Sequence, residues 1–128
     1  MRLKDKVAVV TGASSEIGIS IVKRFVEEGA KVVLLGRKLD ALEKARTTIS
    51  NKNATVSMQC DITNEAQAIQ TVEQILNKYG SIDILVNSAG AINDPIHFHE
   101  MPDSEITKLI DVNMYGVFNM TKAVLPNM

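Results

Sequence analysis

Short apolar runs alternate with segments of helical spacing along the chain, and this alternation constrains the fold more than any other feature. Four runs are typical of β-strands: residues 6–11, 31–36, 55–60 and 82–90. Three are almost continuously apolar, as expected for parallel strands covered on both faces, whereas residues 55–60 alternate and suit a strand nearer an edge. The order βαβαβαβα predicts an α/β fold with a parallel sheet and right-handed crossovers, in one domain over residues 1–128.

The segments between these strands carry apolar residues three and four positions apart, which predicts four helices. The first is expected to stop at Gly29 and the third at Gly80, since glycine is common after a helix end. The four stripes are Ile17, Ile21, Val22 and Phe25; Leu39, Leu42, Ala45 and Ile49; Ile69, Val72, Ile75, Leu76 and Tyr79; and Ile106, Leu109, Ile110, Val117, Met120 and Val124.

A strand order of 3-2-1-4 would leave the fourth strand, with its apolar sequence ILV, at an edge of the sheet. An open apolar edge invites pairing with another chain. We therefore expect either a homo-oligomer or a domain that is incomplete at its C-terminus and continues in something larger.

Composition narrows the class of protein. The chain is 45% hydrophobic and 23% charged with a formal net charge of −1, which fits one soluble globular domain. There is no basic run that would suit nucleic acid or an anionic membrane, no apolar stretch of membrane-spanning length and no signal-peptide pattern. The lone Cys60 cannot form an internal disulfide, so a reducing cytoplasm is the expected location.

Residues 11–18, TGASSEIG, lie where the first strand should turn into the first helix. Backbone amides and the positive end of a helix dipole make such a junction an anion site. Gly12 permits the turn, Gly18 close helix packing, and Ser14 or Ser15 can cap the helix. Glu16 has two interpretations. Its charge could oppose an anion by up to about 4 kcal/mol at about 4 Å, or it could complement the dipole by about 0.3–1 kcal/mol and face solvent.

These motifs together resemble the short-chain dehydrogenase/reductase family. TGASSEIG after a strand is followed by DIT (61–63), NSAG (87–90) and VN (112–113), in the family's order and spacing. The resemblance covers nearly the whole chain and implies the front half of a Rossmann-type doubly wound sheet. It implies a nicotinamide dinucleotide as cofactor and a small carbonyl or alcohol as substrate. The cofactor-binding residues would be Gly12, Ser14, Ser15, Glu16, Ile17, Gly18, Arg37, Asp61, Ile62, Asn87, Ala89 and Gly90.

The end of the second strand indicates which dinucleotide is preferred. An acidic residue there would bind the ribose 2′-hydroxyl of NAD, but this strand ends in Gly36 followed by Arg37. A guanidinium suits a 2′-phosphate, so we expect NADP, with NAD less favoured. The alternative is a solvated Arg37–Lys38 pair. By resemblance Asp61 binds the adenine amino group beside Ile62, although it could also cap the next helix, where Thr63 or Asn64 would serve better.

On the substrate side, the resemblance gives Asn87 a role in holding the sheet together and places Ala89 and Gly90 near the cofactor. Asn113 falls on the apolar stripe of the last helical segment, where a buried carboxamide needs hydrogen-bond partners. It is either a satisfied core asparagine or, by resemblance, the catalytic-site asparagine that holds a water in a proton relay. His97 and His99 are expected on a surface loop, because two histidines do not make a metal site.

The family's catalytic tyrosine and lysine are expected beyond residue 128. Tyr79 and Tyr115 are no substitutes, since neither has a lysine three or four residues later. The first hypothesis is the N-terminal half of an NADP-dependent reductase, similar to 3-oxoacyl-carrier-protein reductases and inactive alone. The alternatives are a non-catalytic nucleotide-binding module or regulatory subunit, and a structural remnant that binds nothing well.

Overall fold

A computed structural model of the chain describes residues 1–128. Four strands form one all-parallel sheet in the order β3-β2-β1-β4: β1 (Val7–Thr11), β2 (Lys31–Gly36), β3 (Thr55–Gln59) and β4 (Ile84–Val86). The predicted order and the edge position of the alternating third strand are confirmed. β4 pairs only with β1, so its other edge is open.

Helices connect the strands and follow the last one: α1 (Glu16–Glu27), α2 (Leu39–Arg46), α3 (Glu65–Tyr79), α4 (Asp103–Ile110) and α5 (Gly116–Val124). A single π-helical turn (Asp111–Tyr115) joins α4 to α5, and short 3-10 turns cover Lys52–Ala54, Phe98–Glu100 and Leu125–Asn127. Helical residues follow one another without a break from Asp103 to Val124, so the predicted fourth helix is confirmed and contains a π-helical turn. No helix has both the length and the apolar character that a bilayer crossing requires.

Two hydrophobic cores sandwich the sheet, because side chains alternate between its faces. Val9 and Leu35 belong to the core under α3 and α5, whereas Val10 and Leu34 belong to the core on the opposite face with residues of α1 and α2. Every residue of β1 is buried. This double cover explains why the central strands read as continuous apolar runs.

Some residues of the predicted helical stripes face solvent instead of the sheet. Ile17 is 72% exposed, and Ile69 and Ile110 are also largely exposed. In α1 the buried positions are Gly18, Val22 and Val26, so the packed face is rotated one position from Ile17. Because Gly18 has no side chain, the helix can pack closely against the backbone of Gly12.

Candidate functional site

The turn after β1 is fixed by one glycine and one serine. Gly12 has φ +62°, and a Cβ there would lie 2.7 Å from Cα of Ala89, so both conformation and space require glycine. Ser15 is the N-cap of α1: its Oγ accepts from Gly18 N (3.0 Å) and donates to Gly12 O (2.9 Å). This geometry directs the start of α1 at the carboxyl end of β1.

Three backbone amides between Ser14 and Gly18 have no partner within the chain. The N–H groups of Ser14, Glu16 and Ile17 make no hydrogen bond, whereas that of Gly18 is taken by the Ser15 hydroxyl. Free first-turn amides and the positive helix end attract anions. The main chain alone therefore offers three donors to a negatively charged group.

The side chain of Glu16 lies on the outer surface of α1. There it lines a shallow depression together with Ile17 and Arg24. Glu16 is the first residue of the helix and lies in the dipole-complementing first turn. Its position is that of a surface glutamate.

A groove of about 310 Å³ runs across the carboxyl ends of all four strands. Such a groove is the usual ligand site of an open α/β sheet. Of the predicted site residues, Glu16, Ile17, Gly18, Asn87 and Asn113 lie outside its lining. The groove is lined by Gly12, Ser14, Ser15, Leu35, Gly36, Arg37, Cys60, Asp61, Ile62, Thr63, Ser88, Ala89, Gly90, Ala91, Lys108 and Val112.

The Asp61 segment is held as a tight turn at the β3 end of the groove. One carboxylate oxygen of Asp61, Oδ1, accepts from Thr63 N (3.0 Å) and Thr63 Oγ1 (2.7 Å). Asn64, not Asp61, caps α3 by accepting from Gln67 N. Asp61 is therefore not used as a cap, and its second oxygen makes no hydrogen bond within the chain.

Arg37 extends from the end of β2 into the groove lining, and its guanidinium has no ion-pair or hydrogen-bond partner in the chain. Asp61 is the only acidic residue of the lining. The position before Arg37 is close to α2: a Cβ on Gly36 would lie 3.1 Å from a methyl carbon of Leu42, so a side chain there would require Leu42 to shift. The second strand thus presents a free cation and no carboxylate.

The hydroxyl of Thr11 joins β1 to the end of β4. It accepts from Ser88 N (3.1 Å) and Ala89 N (3.0 Å) and donates to Val86 O (3.4 Å). Asn87, just after β4, donates from Nδ2 to Thr121 Oγ1 of α5 (3.2 Å). The role of Thr11 was not predicted, although a threonine at the end of a buried strand indicates a hydroxyl that needs hydrogen-bond partners.

Asn113 lies in the π-helical turn and is exposed, so its predicted place on a buried stripe was wrong. Its carboxamide is nevertheless fully bonded. Oδ1 accepts from Ala91 N (3.1 Å), and Nδ2 donates to Ala91 O (2.8 Å) and Leu109 O (2.9 Å). Asn113 thereby ties the widened helical turn to the loop after β4, beside the groove.

Cys60 and Lys108 are among the groove residues that were not predicted from the sequence. Cys60 is buried, and burial raises the pKa of its thiol, partly offset by a hydrogen bond with Thr71, so the thiol stays protonated and unreactive at neutral pH. Lys108 of α4 lines both the groove and a neighbouring cavity of about 540 Å³ under loop residues 92–96. That larger cavity lies outside the strand ends and holds none of the turn residues.

Parallel strands in the order 3-2-1-4, with unpaired amides at the first strand-to-helix turn, define a Rossmann-type fold. Comparison with known proteins then gives the family. The sequence profile described as short chain dehydrogenase matches residues 6–128, and the chain belongs to the short-chain dehydrogenase family.

Relatives and solved structures agree with this assignment. An uncharacterized oxidoreductase of Staphylococcus saprophyticus is 43% identical over the whole chain, which covers 55% of that relative. The 3-oxoacyl-[acyl-carrier-protein] reductase of Thermotoga maritima is 37% identical, again over the whole chain and 52% of the relative. The chain therefore spans about half the length of the curated relatives it matches.

Two nucleotide-bound structures share the fold over the whole chain. NAD+-bound xylitol dehydrogenase superposes with a TM-score of 0.95 at 33% identity and is covered over 50% of its length. A metagenomic short-chain oxidoreductase in complex with NADP superposes with a TM-score of 0.91 at 31% identity, covered over 58%. Structures of this fold thus carry either nicotinamide dinucleotide.

Proposed function

We propose that this chain forms the cofactor-binding half of an NADP-dependent short-chain oxidoreductase that interconverts carbonyls and alcohols by hydride transfer. The observation that carries the proposal is the groove across the strand ends, next to a first strand-to-helix turn that carries three unpaired amides. Nicotinamide, when bound, supplies or accepts the hydride. The substrate class is a small carbonyl or alcohol, as for 3-oxoacyl-carrier-protein reductases.

The diphosphate of the dinucleotide is held by main-chain amides, with Gly12, Ser14 and Ser15 forming the wall of the groove. Because the donors belong to the backbone, the side chain at position 16 is free to point outward. Glu16 is tolerated for this reason, and Ile17 and Gly18 serve through the helix start that they form. The remaining cofactor contacts come from Arg37, Asp61, Ile62, Ala89 and Gly90, with Asn87 as a support.

The preference for NADP over NAD rests on Arg37. A guanidinium without a partner at the end of β2 can form charge-assisted hydrogen bonds with the 2′-phosphate of NADP. The 2′-hydroxyl of NAD donates instead to a carboxylate, and this strand end has none. Such hydrogen bonds contribute roughly 1.5–3 kcal/mol, or about a tenfold or larger difference in Kd.

Asn113 is proposed as the family's proton-relay asparagine. Its carboxamide is spent on Ala91 and Leu109, so its contribution is to fix the π-helical turn beside the groove. The 128 residues include no tyrosine followed by a lysine three or four positions later. We therefore expect them to bind the cofactor but not to turn over a substrate alone.

Titration of the chain with NADPH and NADH, followed by nucleotide fluorescence, tests this function. We expect saturable binding of both, tighter for NADPH, and an Arg37→Asp variant that loses about tenfold or more for NADPH and little for NADH. Lys38→Asp is the matched control, since Lys38 is adjacent but lies outside the groove lining. Equal losses for both nucleotides would show that Arg37 does not read the 2′-phosphate. No saturable signal at millimolar nucleotide would refute cofactor binding.

A further inference from the structure

Helix α5 holds Ile62 at two points. Nδ2 of Asn119 donates to the carbonyl oxygen of Ile62 over 2.9 Å. Three residues earlier, Gly116 faces the Ile62 side chain so closely that a Cβ there would lie 2.6 Å from Cδ1 of the isoleucine. Residues three apart share a helix face, so one turn of α5 restrains both the side chain and the carbonyl group of Ile62.

The preceding residue is restrained from another helix. Oε1 of Gln67, in α3, accepts from Asp61 N over 3.0 Å, and Oδ1 of Asp61 is occupied by Thr63. After these bonds, two polar groups of Asp61 and Ile62 stay without a partner in the chain: the N–H of Ile62 and Oδ2 of Asp61. One is a donor and the other an acceptor, and both residues line the groove.

A neighbouring donor and acceptor can distinguish purine edges. Adenine presents an acceptor at N1 beside a donating 6-amino group, which complements the pair. Hypoxanthine presents a donor at N1 beside an accepting 6-oxygen, so donor would face donor and acceptor would face acceptor. A site that leaves polar groups unpaired rejects the analogue strongly, provided that the peptide is held in a fixed orientation.

We propose that Asn119, which does not line the groove, is a positioning residue for base recognition. The Ile62 carbonyl belongs to the peptide after Ile62 and the N–H to the peptide before it. With the carbonyl held by Asn119 and the side chain packed against Gly116, rotation at Ile62 is limited, which keeps its N–H and the Asp61 carboxylate in the orientation that selects an adenine dinucleotide over its hypoxanthine analogue. This inference rests on the proposed cofactor-binding function and assigns it a residue that acts from outside the groove.

The experiment measures two dissociation constants, for NADPH and for its hypoxanthine analogue, in the unaltered chain, Asn119→Leu and Asn127→Leu. Asn127 is the matched control, because it lies exposed beyond the end of α5 and its side chain makes no hydrogen bond. We expect the unaltered chain and the control to prefer the adenine nucleotide by about tenfold or more. In Asn119→Leu this preference should fall by about fivefold, through weaker NADPH binding.

Three outcomes would overturn the inference. An Asn119→Leu variant that keeps the full preference, even with weaker binding of both nucleotides, would show that Asn119 only supports the fold. If the unaltered chain binds both nucleotides equally, the inference of base recognition is refuted while the proposed cofactor binding stands. An unaltered chain that binds neither would refute the proposed function and this inference together.

Asn119→Asp guards against a leucine variant that fails to fold. It preserves the size of the side chain but places an oxygen against the Ile62 carbonyl, so the same loss of preference is expected. Thermal unfolding followed by circular dichroism confirms that each variant is folded before titration, and an Asn119→Asp variant with unchanged preference would also contradict the proposal.

Discussion

Replacing Gly12 by alanine should damage the chain far more than the same change at Gly80. Both glycines have positive φ, +62° and +81°, so both variants incur the conformational cost of a left-handed residue, about 1–2 kcal/mol. They differ in surroundings. A Cβ at Gly80 meets nothing within 4 Å, whereas at Gly12 it would lie 2.7 Å from Cα and 2.9 Å from N of Ala89.

The overlap at Gly12 cannot be relieved cheaply, because the obstructing atoms are backbone. Moving Ala89 away would also strain its hydrogen bond to Thr11 Oγ1 (3.0 Å). Overpacking of this kind costs about 1–3 kcal/mol, and the stiffer unfolded chain returns about 0.4–1 kcal/mol in either variant. We expect the free energy of unfolding to fall by about 2–4 kcal/mol in Gly12→Ala and by about 1 kcal/mol in Gly80→Ala.

Urea unfolding followed by circular dichroism gives both values, with the slope m as a check that the unfolded states are comparable. NADPH affinity should fall in Gly12→Ala and stay unchanged in Gly80→Ala, since Gly80 lies far from the groove lining. Equal destabilisation of the two variants would refute the reasoning that backbone proximity, rather than φ alone, demands glycine at the turn.

Four other predictions follow from single features. Asp83 accepts a hydrogen bond from Val7 N, and this bond together with the Lys6 ammonium lowers the pKa of its carboxyl. The stability that the carboxylate contributes is present above about pH 4 and is lost as the pH falls further. Asp83→Asn should therefore flatten the acid side of a plot of unfolding free energy against pH, and an unchanged plot would contradict this. Ser57 Oγ is buried without a partner, so Ser57→Ala should raise the free energy of unfolding by up to about 1 kcal/mol, and a loss would reveal a hidden partner. Glu16→Gln should change the NADPH Kd by less than about threefold, a smaller effect than the roughly tenfold of a 1.4 kcal/mol contact, whereas a large gain in affinity would show that the carboxylate reaches the site. The open edge of β4 should make the chain self-associate in sedimentation experiments, and a monomer at high concentration would count against an exposed edge.

The sequence predicted the layers of this fold well because burial on both faces leaves a strong local pattern. β2 occupies the predicted residues 31–36, and the strand order is as expected. β4 is shorter than predicted, covering Ile84–Val86 within residues 82–90, because its length is set by the register with β1. That register depends on the partner strand and cannot be predicted from the hydrophobic pattern of residues 82–90 alone.

The site was predicted less completely, because several of its features depend on contacts between distant residues. The π-helical turn is associated with the bonds from Asn113 to Ala91, 22 residues earlier, and no helical periodicity indicates it. Lys108 lines the groove only through the placement of α4. Likewise, nothing adjacent in the sequence links Asn119 to Ile62, 57 residues away.

In the proposed function, main-chain amides at the first strand-to-helix turn bind the dinucleotide diphosphate. Nitrogen-15 NMR of the chain during NADPH titration tests it directly, residue by residue. We expect the amide resonances of Ser14, Glu16 and Ile17, the donors without partners, to shift most and to saturate together. Saturable binding that leaves these three resonances in place while others move would contradict the account.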